Sequence, residues 1–131
     1  MLNHVSVLVA EDQPFIALDL ALAVEDAGGK VVGPAVSCAE ALLFLSTGIV
    51  DAAIVDVNLV DGDSSALMEV LVDLRVAFII HSAVDLPPAL ATRFSGLVVQ
   101  IKPCPAASLV ARLVSMIAGN ERASDLRSSV L

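Results

Sequence analysis

Three carboxylates in this chain stand where apolar runs end. Glu11 and Asp12 follow the run Val5-Ser6-Val7-Leu8-Val9-Ala10, and Asp56 closes Ala52-Ala53-Ile54-Val55. A short apolar run that stops at an acid reads as a buried strand with the acid at its carboxyl tip. In an open parallel sheet, ligands bind just beyond those tips. Two such tips carrying three carboxylates would make a compact anionic pocket. That pocket suits a hard divalent cation and the phosphoryl chemistry that accompanies one. Ser82 and Lys102 close two further apolar runs. Each residue has an ordinary reading by itself: a helix cap for Asp12, a turn residue for Ser82, a solvated surface group for Lys102. The joint pattern is more specific than any member.

The elements that must position these residues alternate. Apolar runs over 5–10, 30–35, 52–56, 76–82 and 97–101 read as strands, the second broken by Gly33-Pro34 near its end. Helical spacing follows each of them. Pro14 suits a helix start, Phe15, Leu18, Leu22 and Val24 recur at helical spacing, and Gly28-Gly29 stops that helix. Ser37 and Glu40 form a capping box for a second helix, closed by Gly48. Asp61-Gly62-Asp63-Ser64 reads as a polar loop that can cap a third helix over 65–74. Pro87-Pro88 leaves room for only a short fourth helix before Gly96. Pro105 opens a fifth, expected to end at Gly119. Residues 120–131 read as a polar tail or a helix extension. Five βα units imply a five-stranded parallel sheet with helices on both faces. Continuous apolar strands fit a sheet covered on both sides.

Composition narrows the function. The chain has 131 residues, suited to one domain, and is 57% apolar with four Phe and no Trp or Tyr, so its core is aliphatic. The formal net charge of -8 argues against a phosphate-backbone or anionic-membrane partner. No apolar stretch approaches the roughly 20 residues that span a bilayer. No basic region precedes the first apolar run, so a signal peptide is not expected. Cys38 and Cys104 match no metal spacing. Two free thiols suit a cytoplasmic location.

Glu11-Asp12, Asp56-Val57-Asn58-Leu59, Ser82-Ala83 and Lys102-Pro103, in this order and each at a strand end, resemble the receiver domain of two-component response regulators. The resemblance covers about residues 5–119. It implies a doubly wound α/β fold with flavodoxin-like strand order 2-1-3-4-5. It also implies that Asp56 accepts a phosphoryl group from a phosphohistidine. Glu11, Asp12, Asp56 and the backbone carbonyl of Asn58 would hold Mg²⁺. Ser82 would hydrogen-bond the phosphoryl oxygen, and Lys102 would pair with Asp56 and then with the phosphoryl group. The Lys102-Pro103 bond is often cis in this family. The implied partners are a sensor histidine kinase or histidine phosphotransfer protein, an unknown downstream protein and, in some members, a second copy. No direct nucleic-acid or membrane partner is implied. With about a dozen residues after Gly119, no output domain is expected there.

Several segments, among them Val32-Gly33-Pro34-Ala35 and Ala39-Glu40-Ala41-Leu42, resemble stand-alone receivers paired with HWE-class histidine kinases. The chain also departs from the family. No Pro follows the aspartate motif closely. Val99 stands where the switch aromatic is usual, leaving Phe78 and Phe94 as substitutes or as core. His81 reads either as a titrating group under the pocket or as a side chain on the opposite face from Ser82. The apolar 97–99 run reads as core or as a partner surface. Two other readings of function compete. One is a receiver-like interaction module that takes no phosphate. The other is a small aspartate-nucleophile phosphatase, for which Asn58 stands where a second aspartate is needed.

Overall fold

The computed structural model describes residues 2–83, 88–94 and 96–130, with 120–130 described as backbone. Five parallel strands form the sheet: β1 (Ser6–Ala10), β2 (Lys30–Ala35), β3 (Ala52–Asp56), β6 (Ala77–Ser82) and β7 (Val98–Ile101), in the order β2-β1-β3-β6-β7. Counted as long strands, this is the 2-1-3-4-5 order expected from the resemblance. A small antiparallel hairpin, β4 (Asn58–Leu59) with β5 (Gly62–Asp63), lies between β3 and the next helix. The helices are α1 (Pro14–Asp26), α2 (Cys38–Thr47), α3 (Ser65–Asp73), α4 (Pro88–Arg93) and α5 (Ala106–Val130).

Strand side chains alternate between two aliphatic layers. Leu8, Ala53, Val55, Phe78 and Ile80 pack on one face with Ala41 of α2, Leu67, Met68 and Leu71 of α3, and Leu90 of α4. Val7, Val9, Ala52, Ile54 and Ile79 pack on the other with Leu20 and Val24 of α1 and Leu109 and Leu113 of α5. Phe78 is core, and Phe94 packs at the edge of the first layer under the Arg93 guanidinium, 5.1 Å from the ring centre. Leu97 and Val99 pack against one layer and Val98 against the other, which favours the core reading of that run.

Local chemistry sets the helix ends. The Ser37 hydroxyl accepts from the Glu40 N–H at 3.0 Å, and Gly48 closes α2. Gly28, at φ 89°, carries the chain out of α1 in a conformation that favours glycine. Gly33-Pro34 does not end β2; the strand runs on to Ala35 with its pairing to β1 shifted between Leu8 and Ala10.

One expected boundary needs correction. Gly119 does not end the last helix, which continues to Val130; a lone glycine costs a helix only about 1 kcal/mol. The Phe15, Leu18, Leu22 stripe has helical spacing but faces outward, 84%, 55% and 50% exposed, while Ala17, Leu20 and Val24 meet the core. The Asp61-Gly62 loop is a hairpin. The Asp85-Leu86-Pro87 segment, taken as limiting the fourth helix, lies outside the described residues. Among the described residues no helix is long and apolar enough to cross a membrane.

The facing of α1 is checked by substitution. Leu20→Ala should cost about 2–5 kcal/mol in urea unfolding, as a fully buried leucine does. Leu18→Ala should stay within about 0.5 kcal/mol, as exposed positions do.

Candidate functional site

The strand order reverses at β1, whose neighbours are β2 and β3. The chain leaves β1 and β3 on either side of this crevice. Glu11 and Asp12 follow β1, and Asp56 is the last residue of β3. Their carboxylates converge: one oxygen from each of Glu11, Asp12 and Asp56 lies within 4.8 Å of the others. Glu11 is 1% exposed and Asp56 8% exposed, whereas Asp12 is half-buried.

Lys102 follows β7 and reaches across the end of β6 to this cluster. Its Nζ donates to Asp56 Oδ2 at 2.9 Å and lies 3.0 Å from Glu11 Oε1. The second contact is an ion pair without hydrogen-bond alignment, so Glu11 Oε1 stays buried with no hydrogen-bond partner. The Lys102 N–H donates to the Ser82 carbonyl at 2.6 Å, which fixes the lysine to the end of β6. The Lys102-Pro103 peptide bond is cis, as the resemblance implied. Ser82 is 2% exposed at the same strand end.

Charge balance explains the electrostatics. Burial is the main force that pushes the Glu11 carboxyl up to about 7, helped by the neighbouring Asp56 carboxylate and opposed by Lys102. Burial works to lower the Lys102 pKa, but the bond to Asp56 and the pairing with Glu11 outweigh it and raise it. The lysine is thus held cationic between two acids.

The hairpin after Asp56 holds the loop. The Asn58 N–H donates to Asp56 Oδ1 at 3.2 Å, orienting the carboxylate whose other oxygen meets Lys102. Asp61 reaches across to α2, where Oδ1 accepts from the Cys38 N–H at 2.8 Å and Oδ2 from the Ala39 N–H at 3.1 Å. These bonds satisfy amides that the first helical turn leaves unpaired. They hold the Asp61 carboxyl below its usual range. The Val60 N–H donates to the Val36 carbonyl at 3.1 Å. Asp63 accepts from the backbone N–H and the hydroxyl of Ser65, so it caps α3 as the loop was expected to. The Asp61 latch was missed in the sequence. Gly62 was a local turn signal, but it pairs with Leu59 in the hairpin, whose two-residue loop is Val60-Asp61.

His81 combines the two readings given to it. Alternation puts it on the α1/α5 face, opposite Ser82. That is also the face of Asp56, its register partner on β3. The ring is 4% exposed, and burial, then the Lys102 charge, lower its pKa. Cys38 and Cys104 are free thiols.

The donor set is oxygen only, anionic and partly preassembled, and it includes a buried carboxylate oxygen lacking a hydrogen-bond partner. These features are compatible with a hard divalent cation such as Mg²⁺.

No protein-family model matches the sequence, and no curated protein does. Solved structures do. A CheY-like response regulator receiver domain protein from Methanospirillum hungatei JF-1 superposes with a TM-score of 0.80 at 18% identity, over 90% of this chain and 97% of that one. SdrG from Sphingomonas melonis Fr1 superposes at 0.74 with 29% identity, over 90% of this chain and 99% of that one. The response regulator PhyR from Brucella abortus superposes at 0.75 with 30% identity, over 94% of this chain but 51% of that one. The chain therefore has the fold of CheY-like response regulator receiver domains.

Glu11 makes the stability of the metal-free protein depend on pH. The unfolded carboxyl ionises near 4.5, while the folded one keeps its proton to about 7. Between these values the folded state binds more protons, so stability should fall as pH rises from 4.5 through 7. Urea midpoints measured in a chelator should show this fall, and Glu11→Gln should flatten it. A wild type with no slope of its own in that window would contradict the assignment. At the hairpin, Asp61→Ala should lower the urea midpoint more than Asp61→Asn, which keeps one acceptor.

Proposed function

We propose that this chain is a phosphoacceptor receiver in two-component signalling. Asp56 takes a phosphoryl group from a phosphohistidine on a sensor histidine kinase or a histidine phosphotransfer protein. The observation that carries this reading is the Lys102 ammonium held 2.9 Å from Asp56 inside a three-carboxylate cluster. The fold neighbours support it, being receiver domains of response regulators.

Glu11, Asp12, Asp56 and the Asn58 carbonyl would hold Mg²⁺, which when bound offsets negative charge on the phosphoryl oxygens. The chain's own residues do the rest. The Asn58 N–H and Lys102 Nζ fix the Asp56 carboxylate by one oxygen each. An Asp56 oxygen forms a bond to phosphorus as the phosphorus–nitrogen bond breaks, and the electron pair leaves on the imidazole of the donor. Lys102 stabilises charge on the transferred oxygens. The Ser82 hydroxyl donates to one of them once the group is on Asp56. Output follows when the phosphoryl group favours one conformation over another, through Ser82 and Lys102.

The exposed α1 stripe supports a protein partner close to this site. Phe15, Leu18 and Leu22 begin four residues after Glu11 and present a row of apolar side chains. A row of this kind suits an apolar partner helix. The interaction-module reading draws on one feature, Val99 at the place of the usual aromatic. It predicts a function indifferent to Asp56.

Acetyl phosphate with Mg²⁺ should add one phosphoryl mass to the wild type. Asp56→Asn, or a chelator, should remove the adduct, and an adduct that survives Asp56→Asn would sink the proposal. Phe15→Glu should keep the acetyl phosphate reaction yet slow transfer from the protein donor by about tenfold or more, as loss of an interface anchor does.

A further inference from the structure

Behind the acidic cluster, on the α1/α5 face, is a cavity of about 230 Å³. Ile16 and Leu20 of α1, His81 of β6, and Lys102, Pro103 and Cys104 of the following loop form its walls. Its polar feature is the His81 imidazole, 4% exposed, with neither ring nitrogen hydrogen-bonded. Buried polar groups in folded proteins nearly always have partners. A neutral imidazole offers one donor and one acceptor. Here both are buried beside a cavity large enough to supply what they lack.

Water would find few partners in this cavity. A buried water needs two to four polar partners. Of the other polar groups on these walls, Lys102 Nζ is engaged with Asp56 and Glu11 and the Cys104 thiol with the Pro105 carbonyl at 3.6 Å, while Asp19 adds a carboxylate. The rest of the lining is apolar. An anion is disfavoured too, because Asp19 also lines the cavity and the Lys102 charge is already matched by two acids. An approach is present: an open groove of about 690 Å³ between α1 and α5 shares Asp19, Pro105 and Ala106 with the cavity.

We propose that this cavity is a binding site for a small neutral ligand, ring-sized, with an apolar body and one group that both donates and accepts a hydrogen bond at His81. Mostly apolar walls with a small number of convergent polar groups are the usual make-up of a small-molecule site. Lys102 is a wall of the cavity and the cation of the acidic cluster, so a bound ligand lies against the side chain that holds Asp56. Any effect on phosphorylation rests on the phosphoacceptor reading. The binding itself does not, and it is measured without phosphate.

Phenol and toluene serve as probes, alike in shape but different in hydrogen bonding. Titrated into the full chain and followed by proton–nitrogen NMR, phenol should give saturable shifts centred on Ile16, Leu20, His81 and Cys104. Toluene should bind several-fold more weakly, and His81→Leu should erase that preference. Should His81→Leu fail to fold, Ala106→Phe keeps the imidazole but narrows the mouth, and it should weaken phenol binding. Equal binding of the two probes would overturn the proposal. So would phenol shifts confined to Leu22, Val110 and Val114 of the open groove, phenol binding unchanged in Ala106→Phe, or no saturable shift at all.

Discussion

Two acids buried side by side, with a third at their edge, need a cation. In this protein Lys102 supplies it. Glu11 and Asp56 are nearly inaccessible to solvent, and isolated buried charges are costly unless they are paired. The ammonium between them offsets their repulsion, yet Glu11 still binds its proton far above the usual carboxylate range. Burial is the main cause of that shift, with the Asp56 carboxylate adding to it and Lys102 opposing it. A further positive charge at the cluster would relieve the repulsion among its three carboxylates.

The fold exists around this arrangement at one edge of the sheet. The order β2-β1-β3-β6-β7 sets β1 beside β3, so Glu11 and Asp56 meet across one strand pairing. Lys102 comes from the edge strand two places away and needs its long stem to arrive. Short polar ties keep the loops still: the Lys102 amide on the Ser82 carbonyl, the Asn58 amide on Asp56, and Asp61 on the start of α2. The two aliphatic layers supply bulk stability and leave this edge free for polar groups. The same economy leaves His81 behind the site with no partner of its own.

The sheet was legible in the sequence because β1, β3 and β6 are largely apolar runs that stop at polar residues, with helical spacing between the runs. Strand order came from the family resemblance, since βα alternation alone does not fix it. The meeting of Glu11, Asp12, Asp56 and Lys102 was legible for the same reason: strand tips of one sheet share one edge. Three things were not. The outward face of α1 is hidden because Phe15, Leu18 and Leu22 have the same spacing as a buried stripe, and only the packed structure shows that Leu20 and Val24 meet the core. The Asp61 latch joins residues more than twenty positions apart, and capping rules look only at near neighbours. The surroundings of His81 depend on how α1 and the Lys102-Pro103-Cys104 loop enclose the strand, which no periodicity encodes.

The central claim is that Asp56 and Lys102 form a phosphoryl-accepting centre that works only with a divalent cation. Fluorine NMR of the chain with beryllofluoride, a phosphoryl mimic, tests it directly. The account predicts bound fluoride signals for the wild type in Mg²⁺, none after the Mg²⁺ is chelated, and none for Asp56→Asn. Bound signals that persist in Asp56→Asn, or a wild type that gives none with Mg²⁺ present, would contradict it.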